Sequence, residues 1–199
     1  MTRLSPIPRE DLPEREPVFE LVEASMGFVP TSMRVMAKWP ALFDAFAGLS
    51  ATVMAMGPLA PELRHLVAHV ASTAAGCRYC QAHTAAHGIE SGTDAKRYED
   101  VWEFGTSDLF TDAERALLRF AFRSAQQPSA VEDGDVTELE RHWSEEEIIH
   151  ALAVVSVFGY LNRFNGALAT TLEPEPLAIA EQHLTDSGWT PEAHAKTER

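Results

Sequence analysis

Two cysteines, Cys77 and Cys80, stand at C-x-x-C spacing inside Gly76-Cys77-Arg78-Tyr79-Cys80-Gln81-Ala82-His83, and the chain holds no others. Side chains at i and i+3 of a helix face the same way, so the pair can close a disulfide or share a ligand. Thiol chemistry runs through the thiolate, and a free thiol with a pKa of about 8.5 is only slightly ionised at neutral pH. Three features of the segment favour the anion: a helix start after Gly76 with unpaired amides, the guanidinium of Arg78, and a nearby histidine. On a helix beginning near Cys77, the residues Cys77, Cys80, His83 and His87 form one stripe. His83 is then placed to take a proton from Cys80 or to hand one to a leaving oxygen.

The preceding segment carries Glu62, His65 and His69 among Leu63, Leu66, Val67, Val70 and Ala71. Polar groups on an apolar helix are costly to bury unless they are paired. A proton relay from Cys80 through His83 to His65 or Glu62 is one reason for them, and a stripe facing solvent or another subunit is a second. A metal reading also exists, because His65-x-x-x-His69, Cys77-x-x-Cys80 and His83-x-x-x-His87 offer more N and S ligands than zinc requires. Structural zinc motifs place their cysteines on tight knuckles, whereas this pair falls in a helix-rich setting, so neither a metal nor a cofactor is expected.

The elements that must position these residues are legible from punctuation. Pro6, Pro8, Pro13 and Pro17 predict an extended arm over residues 1–17, lying on the surface or on a neighbouring subunit. Val18 to Met26 is periodic and stops at Gly27; a short helix follows near Ser32 to Lys38, and Pro40 opens another to about Met56. Pro61 starts a helix through about Ala75, and a further one covers the cysteines. Asp94 to Glu103 reads as helical. Thr111-x-x-Glu114 and Ser144-x-x-Glu147 are capping boxes, the second opening a long apolar helix to about Thr170, with a short acidic helix from Asp135 to Arg141 between them. After Pro174 and Pro176, Leu177 to Ser187 forms a last helix before a polar, disordered tail. No sustained period-2 alternation occurs, so the expected class is all-α, with a helical domain over 18–175 and a C-terminal helix and tail over 176–199.

Composition narrows the partners. A net charge of −14 over 199 residues argues against nucleic acid, which needs clustered Lys and Arg. No apolar run approaches the roughly 20 residues that cross a bilayer, so no membrane partner is expected. The N-terminus lacks an apolar signal region, which predicts a cytoplasmic protein whose thiols stay reduced.

With Gly27-Phe28-Val29-Pro30, Leu63-Arg64-His65-Leu66-Val67-Ala68, the Gly76–Cys80 core and Tyr160-Leu161-Asn162-Arg163-Phe164-Asn165 in view, the sequence resembles the AhpD-like, or carboxymuconolactone decarboxylase, superfamily, in its alkylhydroperoxidase branch. The resemblance implies an all-α AhpD-like bundle that assembles as a homo-oligomer, a dimer, trimer or hexamer. It also implies a thiol-dependent peroxidase acting on an organic hydroperoxide, with Cys80 attacking, Cys77 resolving, and a lipoyl or thioredoxin-like protein as the dithiol reductant. Where that family carries a glutamate twelve residues before the first cysteine, this chain has His65, with Glu62 one turn away. Where it carries a histidine four residues after the second cysteine, this chain has Thr84, with His83 one position earlier. The competing readings are a disulfide reductase or redox adaptor that leaves peroxide alone, and a non-catalytic oligomeric scaffold with buried, inert cysteines.

Overall fold

The computed structural model describes residues 2–195, and among these every regular element is helical. Ten α-helices follow one another: α1 Glu16–Met26, α2 Thr31–Met36, α3 Pro40–Ala55, α4 Pro61–Ala74, α5 Arg78–Glu90, α6 Lys96–Glu99, α7 Asp112–Ala125, α8 Asp133–Leu139, α9 Glu145–Leu168 and α10 Pro174–His183. Proline begins α3, α4 and α10 at first-turn positions, where its missing N–H costs nothing. Both capping boxes form: Thr111 and Ser144 accept the Glu114 and Glu147 amides, and the glutamates reach back.

The central element is α4, packed against α5, α7 and α9, and its residues from Arg64 to Thr73 are all buried. Leu66, Val67 and Ala71 are sealed among Leu117, Leu118, Ala151 and Val154. Full burial contributes roughly 1.5–3 kcal/mol for a side chain the size of Leu66. A tight turn reverses the chain into α5; Gly76 adopts φ +70°, a left-handed conformation natural to glycine, and the Cys77 amide donates to Ser72 O at 3.0 Å. The result is a helical hairpin whose register sets His65 beside His87 and His69 beside Thr84.

Four expectations need revision. The N-terminal arm, expected as extended, lies on the chain's own surface: Thr2 exchanges hydrogen bonds with Thr171, Arg3 N–H donates to Leu168 O, and Leu12 is buried with Phe19, Met33 and Phe43. It contains two short 3-10 turns, Arg9–Asp11 and Pro13–Arg15, because proline fixes φ near helical values as readily as near extended ones. The stretch from Asp94 to Glu103 divides into α6 and a 3-10 turn at Val101–Glu103, and α10 starts at Pro174, with both prolines inside its first turn. Finally, the tail packs as far as Ala195: Trp189 and His194 are buried, the Trp189 indole donating to Arg78 O at 3.2 Å. Its last four residues, 196–199, lie outside the described ones. No described helix is long and apolar enough to cross a membrane.

Candidate active site

Cys77 is the N-cap of α5, with extended backbone at φ −84° and ψ 100°, and Cys80 is the third residue of the helix. This local geometry separates two thiols that the sequence makes look alike. Hydrogen bonding from the Cys80 thiol, joined by the first-turn amides of Cys80 and Tyr79, holds the Cys77 pKa below the ordinary thiol value even though burial opposes it. Burial, together with the facing Cys77, pushes the Cys80 pKa well up, against the Asn165 amide, which donates to its sulfur at 3.6 Å. Both thiols are free and buried. The thiol favoured as an anion is therefore the N-cap cysteine, whereas the resemblance gives the attacking role to Cys80. Arg78, expected to favour the thiolate, turns to Glu192 at 3.2 Å and Gln81 at 3.3 Å.

His83 stands one helical turn beyond Cys80. Its ring stacks on Tyr79 at 4.1 Å between centroids and meets the edge of Phe28 at 5.2 Å. Its Nε2 lies 2.7 Å from Oε2 of Glu173, with both side chains buried. The other oxygen, Oε1, accepts the Tyr79 hydroxyl at 2.9 Å and the backbone N–H of Thr31, the first residue of α2. Burial alone would raise the Glu173 pKa. The His83 charge and hydrogen bond and the Thr31 contacts outweigh it, and the pKa falls to about 2. Glu173 thus joins α2, α5 and the start of α10 around one ionised carboxylate.

The remaining residues of the expected relay go elsewhere. His65 is buried against His87, with ring centroids 4.3 Å apart, and its Nδ1 has no partner. Burial first, then the neighbouring His87 and Arg64, lower its pKa to about 4, so the ring is neutral at pH 7. Glu62 is bound to Arg97, which also holds Glu114 at 2.6 Å, and no hydrogen bond among the described residues links Glu62 to His65 or His83. His69 contacts the Thr84 hydroxyl at 2.9 Å, and that hydroxyl donates to Cys80 O at 2.8 Å. Among the described residues no three His, Cys, Asp or Glu side chains converge as a metal-holding group. The structure thus places Cys77 and Cys80 at the start of one helix and His83 one turn further on, but among the described residues no hydrogen bond joins His83 to Cys80, to His65 or to Glu62, so the expected relay is not formed.

Two participants, Glu173 and Asn165, were not singled out by sequence reasoning. Glu173 lies 90 residues from His83 and precedes Pro174, where an acid reads as a helix cap. Asn165 sits within the Tyr160–Asn165 segment that carries the family resemblance, and that was the available signal.

The sequence model of the Carboxymuconolactone decarboxylase family matches residues 40–123, a span from α3 to α7 that contains the dithiol. The solved structure of a cysteine-to-alanine variant of the debrominase Bmp8 in complex with 2,3,4-tribromopyrrole superposes with a TM-score of 0.86, at 35% identity over 92% of this chain and 97% of that one. An uncharacterized peroxidase-related protein with an AhpD core, from Ralstonia eutropha, shares the fold at a TM-score of 0.78 and 23% identity, over 88% of this chain and 94% of that one. Among curated proteins, the uncharacterized YnjA of Escherichia coli K12 is 27% identical over 111 residues, 56% of this chain; the matched stretch spans only 61% of that relative's length. By the family match around the dithiol and the near end-to-end similarity to a solved relative, the chain belongs to the AhpD-like carboxymuconolactone decarboxylase family.

Proposed function

We propose that the protein is a dithiol-dependent two-electron reductase of a small molecule, and that the bond it reduces is a carbon–halogen bond. The observation that carries this reading is a pair of free thiols at the start of α5, Cys77 at the N-cap position and Cys80 three residues on, in a chain 35% identical over 92% of its length to a debrominase. The Cys77 thiolate attacks the halogen, and the electron pair of the carbon–halogen bond stays on carbon, which takes a proton from His83. Cys80 then loses its proton and displaces halide from the Cys77 sulfur, closing the disulfide. The substrate gains two electrons, the dithiol loses two, and one halide and one proton are released. An external dithiol, of lipoyl or thioredoxin type, returns the pair to the reduced state.

A second reading, hydroperoxide reduction, is favoured by the Glu173-held imidazole of His83, a suitable proton donor to a leaving alkoxide. There Cys77 becomes a sulfenic acid and Cys80 condenses with it, releasing water, which exchanges the roles that the resemblance implies. The lowered Cys77 pKa weighs against an inert scaffold, which would need both thiols disfavoured as anions.

The test is bromide release from 2,3,4-tribromopyrrole, and in parallel cumene hydroperoxide consumption, with dithiothreitol as reductant. The expected result is one bromide for every two thiols oxidised, abolished in Cys77→Ser and in Cys80→Ser. Hydroperoxide turnover without bromide release selects the second reading. Turnover of neither substrate while the thiols exchange with a partner disulfide leaves a redox adaptor and sinks both.

A further inference from the structure

Arg64 is the one arginine classed as buried among the described residues, at 8% exposure, and no carboxylate there pairs with it. A buried charge is costly unless it meets an opposite charge or a full set of hydrogen bonds, yet even its Nε is unpartnered. Glu62, two residues before it, is engaged with Arg97. Beside Arg64 stand two more groups able to donate. One is His65, whose buried Nδ1 has no partner. The other is His87, partly buried, tilted against His65 at 4.3 Å, with Nε2 3.3 Å from the Ser25 hydroxyl at the end of α1.

We infer that the Arg64–His65–His87 cluster binds a carboxylate, and that this carboxylate belongs to the substrate, so the physiological substrate is an acid-bearing halogenated aromatic. The inference rests on the proposed reductase activity. His87 follows Cys80 by two helical turns, about 10 Å along α5. Both lie on the face that also carries His83, over which the Ser25–Phe28 segment passes. An aromatic acid with halogen and carboxylate at opposite ends would reach from the thiols along α5 towards Arg64, passing His83, which lies between Cys80 and His87 on that face.

Calorimetric titration with sodium benzoate, and with benzamide as the neutral isostere, tests the anion site without any turnover. Benzoate should bind the wild type, benzamide should not, and Arg64→Met should weaken benzoate about tenfold or more, as expected on removing a charge-assisted partner. Arg64→Lys should recover part of the affinity, and His65→Glu should abolish binding by supplying an internal counterion. The substrate assignment is tested separately with 4-bromophenylacetate: Arg64→Met should raise KM at least tenfold while kcat changes less than threefold. No benzoate binding, or binding indifferent to Arg64, overturns the anion site. Binding with an unchanged KM overturns the substrate class. Dissociation of an oligomer by Arg64→Met, seen by sedimentation together with absent benzoate binding, gives Arg64 to a carboxylate of a second copy and also overturns the inference. If the wild type removes no bromine from any compound, the reductase reading fails while the benzoate titration still decides the site.

Discussion

Glu173→Gln isolates the charge at the centre of the site while keeping its shape. The glutamine Oε1 can still accept the Tyr79 hydroxyl and the Thr31 amide, but its Nε2 now presents N–H groups to His83 Nε2, where the carboxylate presented an acceptor at 2.7 Å. His83 can then meet the introduced amide only in the tautomer with its proton on Nδ1, so its cationic form loses its partner. The drop of the Glu173 pKa from 4.5 to about 2 corresponds to roughly 3 kcal/mol of folding stability at neutral pH. The folded pKa is depressed below the unfolded value, so this contribution is fully present above about pH 4.5 and is lost as pH falls towards 2. Wild type and Glu173→Gln should therefore differ by roughly 3 kcal/mol at pH 7, or roughly 6–12 °C in Tm for a chain of this size. At pH 3 the gap should narrow to roughly 1–2 kcal/mol. Urea unfolding at pH 7, 5, 4 and 3 measures it. A gap below about 1 kcal/mol at pH 7, or one that stays constant from pH 5 to pH 3, would refute the assignment of an ionised, partner-stabilised Glu173.

Thiol order is open to a direct measurement: in the presence of iodoacetamide at pH 7, Cys77 in the Cys80→Ser variant should alkylate about tenfold faster or more than Cys80 in Cys77→Ser, and equal rates would remove the case for Cys77 as nucleophile. Gly57→Ala should cost about 1–3 kcal/mol, because its Cβ would lie 2.1 Å from the His150 ring, which is pinned by Leu59 N–H at 3.1 Å and Val53 O at 2.7 Å. Adding His150→Ala should remove most of that steric increment in thermal unfolding, a non-additivity that independent sites would not show. Trp189→Ala should destabilise by about 3–5 kcal/mol, whereas Trp189→Phe, which loses chiefly the bond to Arg78 O, should cost nearer 1 kcal/mol; similar costs for the two would mean that the tail contributes no packed ring to the α5 start.

The helical frame was legible because its boundaries depend on local chemistry. Gly27 at φ +77°, the prolines opening α3 and α4, and the two capping boxes each satisfy or remove backbone groups within a few residues, so the sequence alone shows them. The arm and the tail, by contrast, owe their order to distant partners. The arm is ordered by Thr171 and Leu168, more than 160 residues away, and the tail by Arg78 and by Thr170, whose carbonyl meets His194 Nδ1 at 2.7 Å. Proline content and polarity describe what such segments cannot do alone, and both are silent about the surface that receives them.

The same distinction explains the site. The dithiol and His83 were visible because one helix carries them at helical spacing, but their chemical inequality depends on where that helix begins. A start one residue earlier would put Cys77 inside the first turn; as N-cap it instead stands at the amide-rich end of the helix, while burial within the helix disfavours the Cys80 anion. Charge placement follows a similar logic. The buried carboxylate that meets His83 comes from Glu173, and among the described residues Arg64 on α4 has no carboxylate partner. The histidines of α5 therefore lie between an anion in contact with His83 and a cation near His87. An acid brought to the cation end would complete a charge pattern that the described residues leave open, and in the proposed reduction His83, at the other end, would be the proton donor.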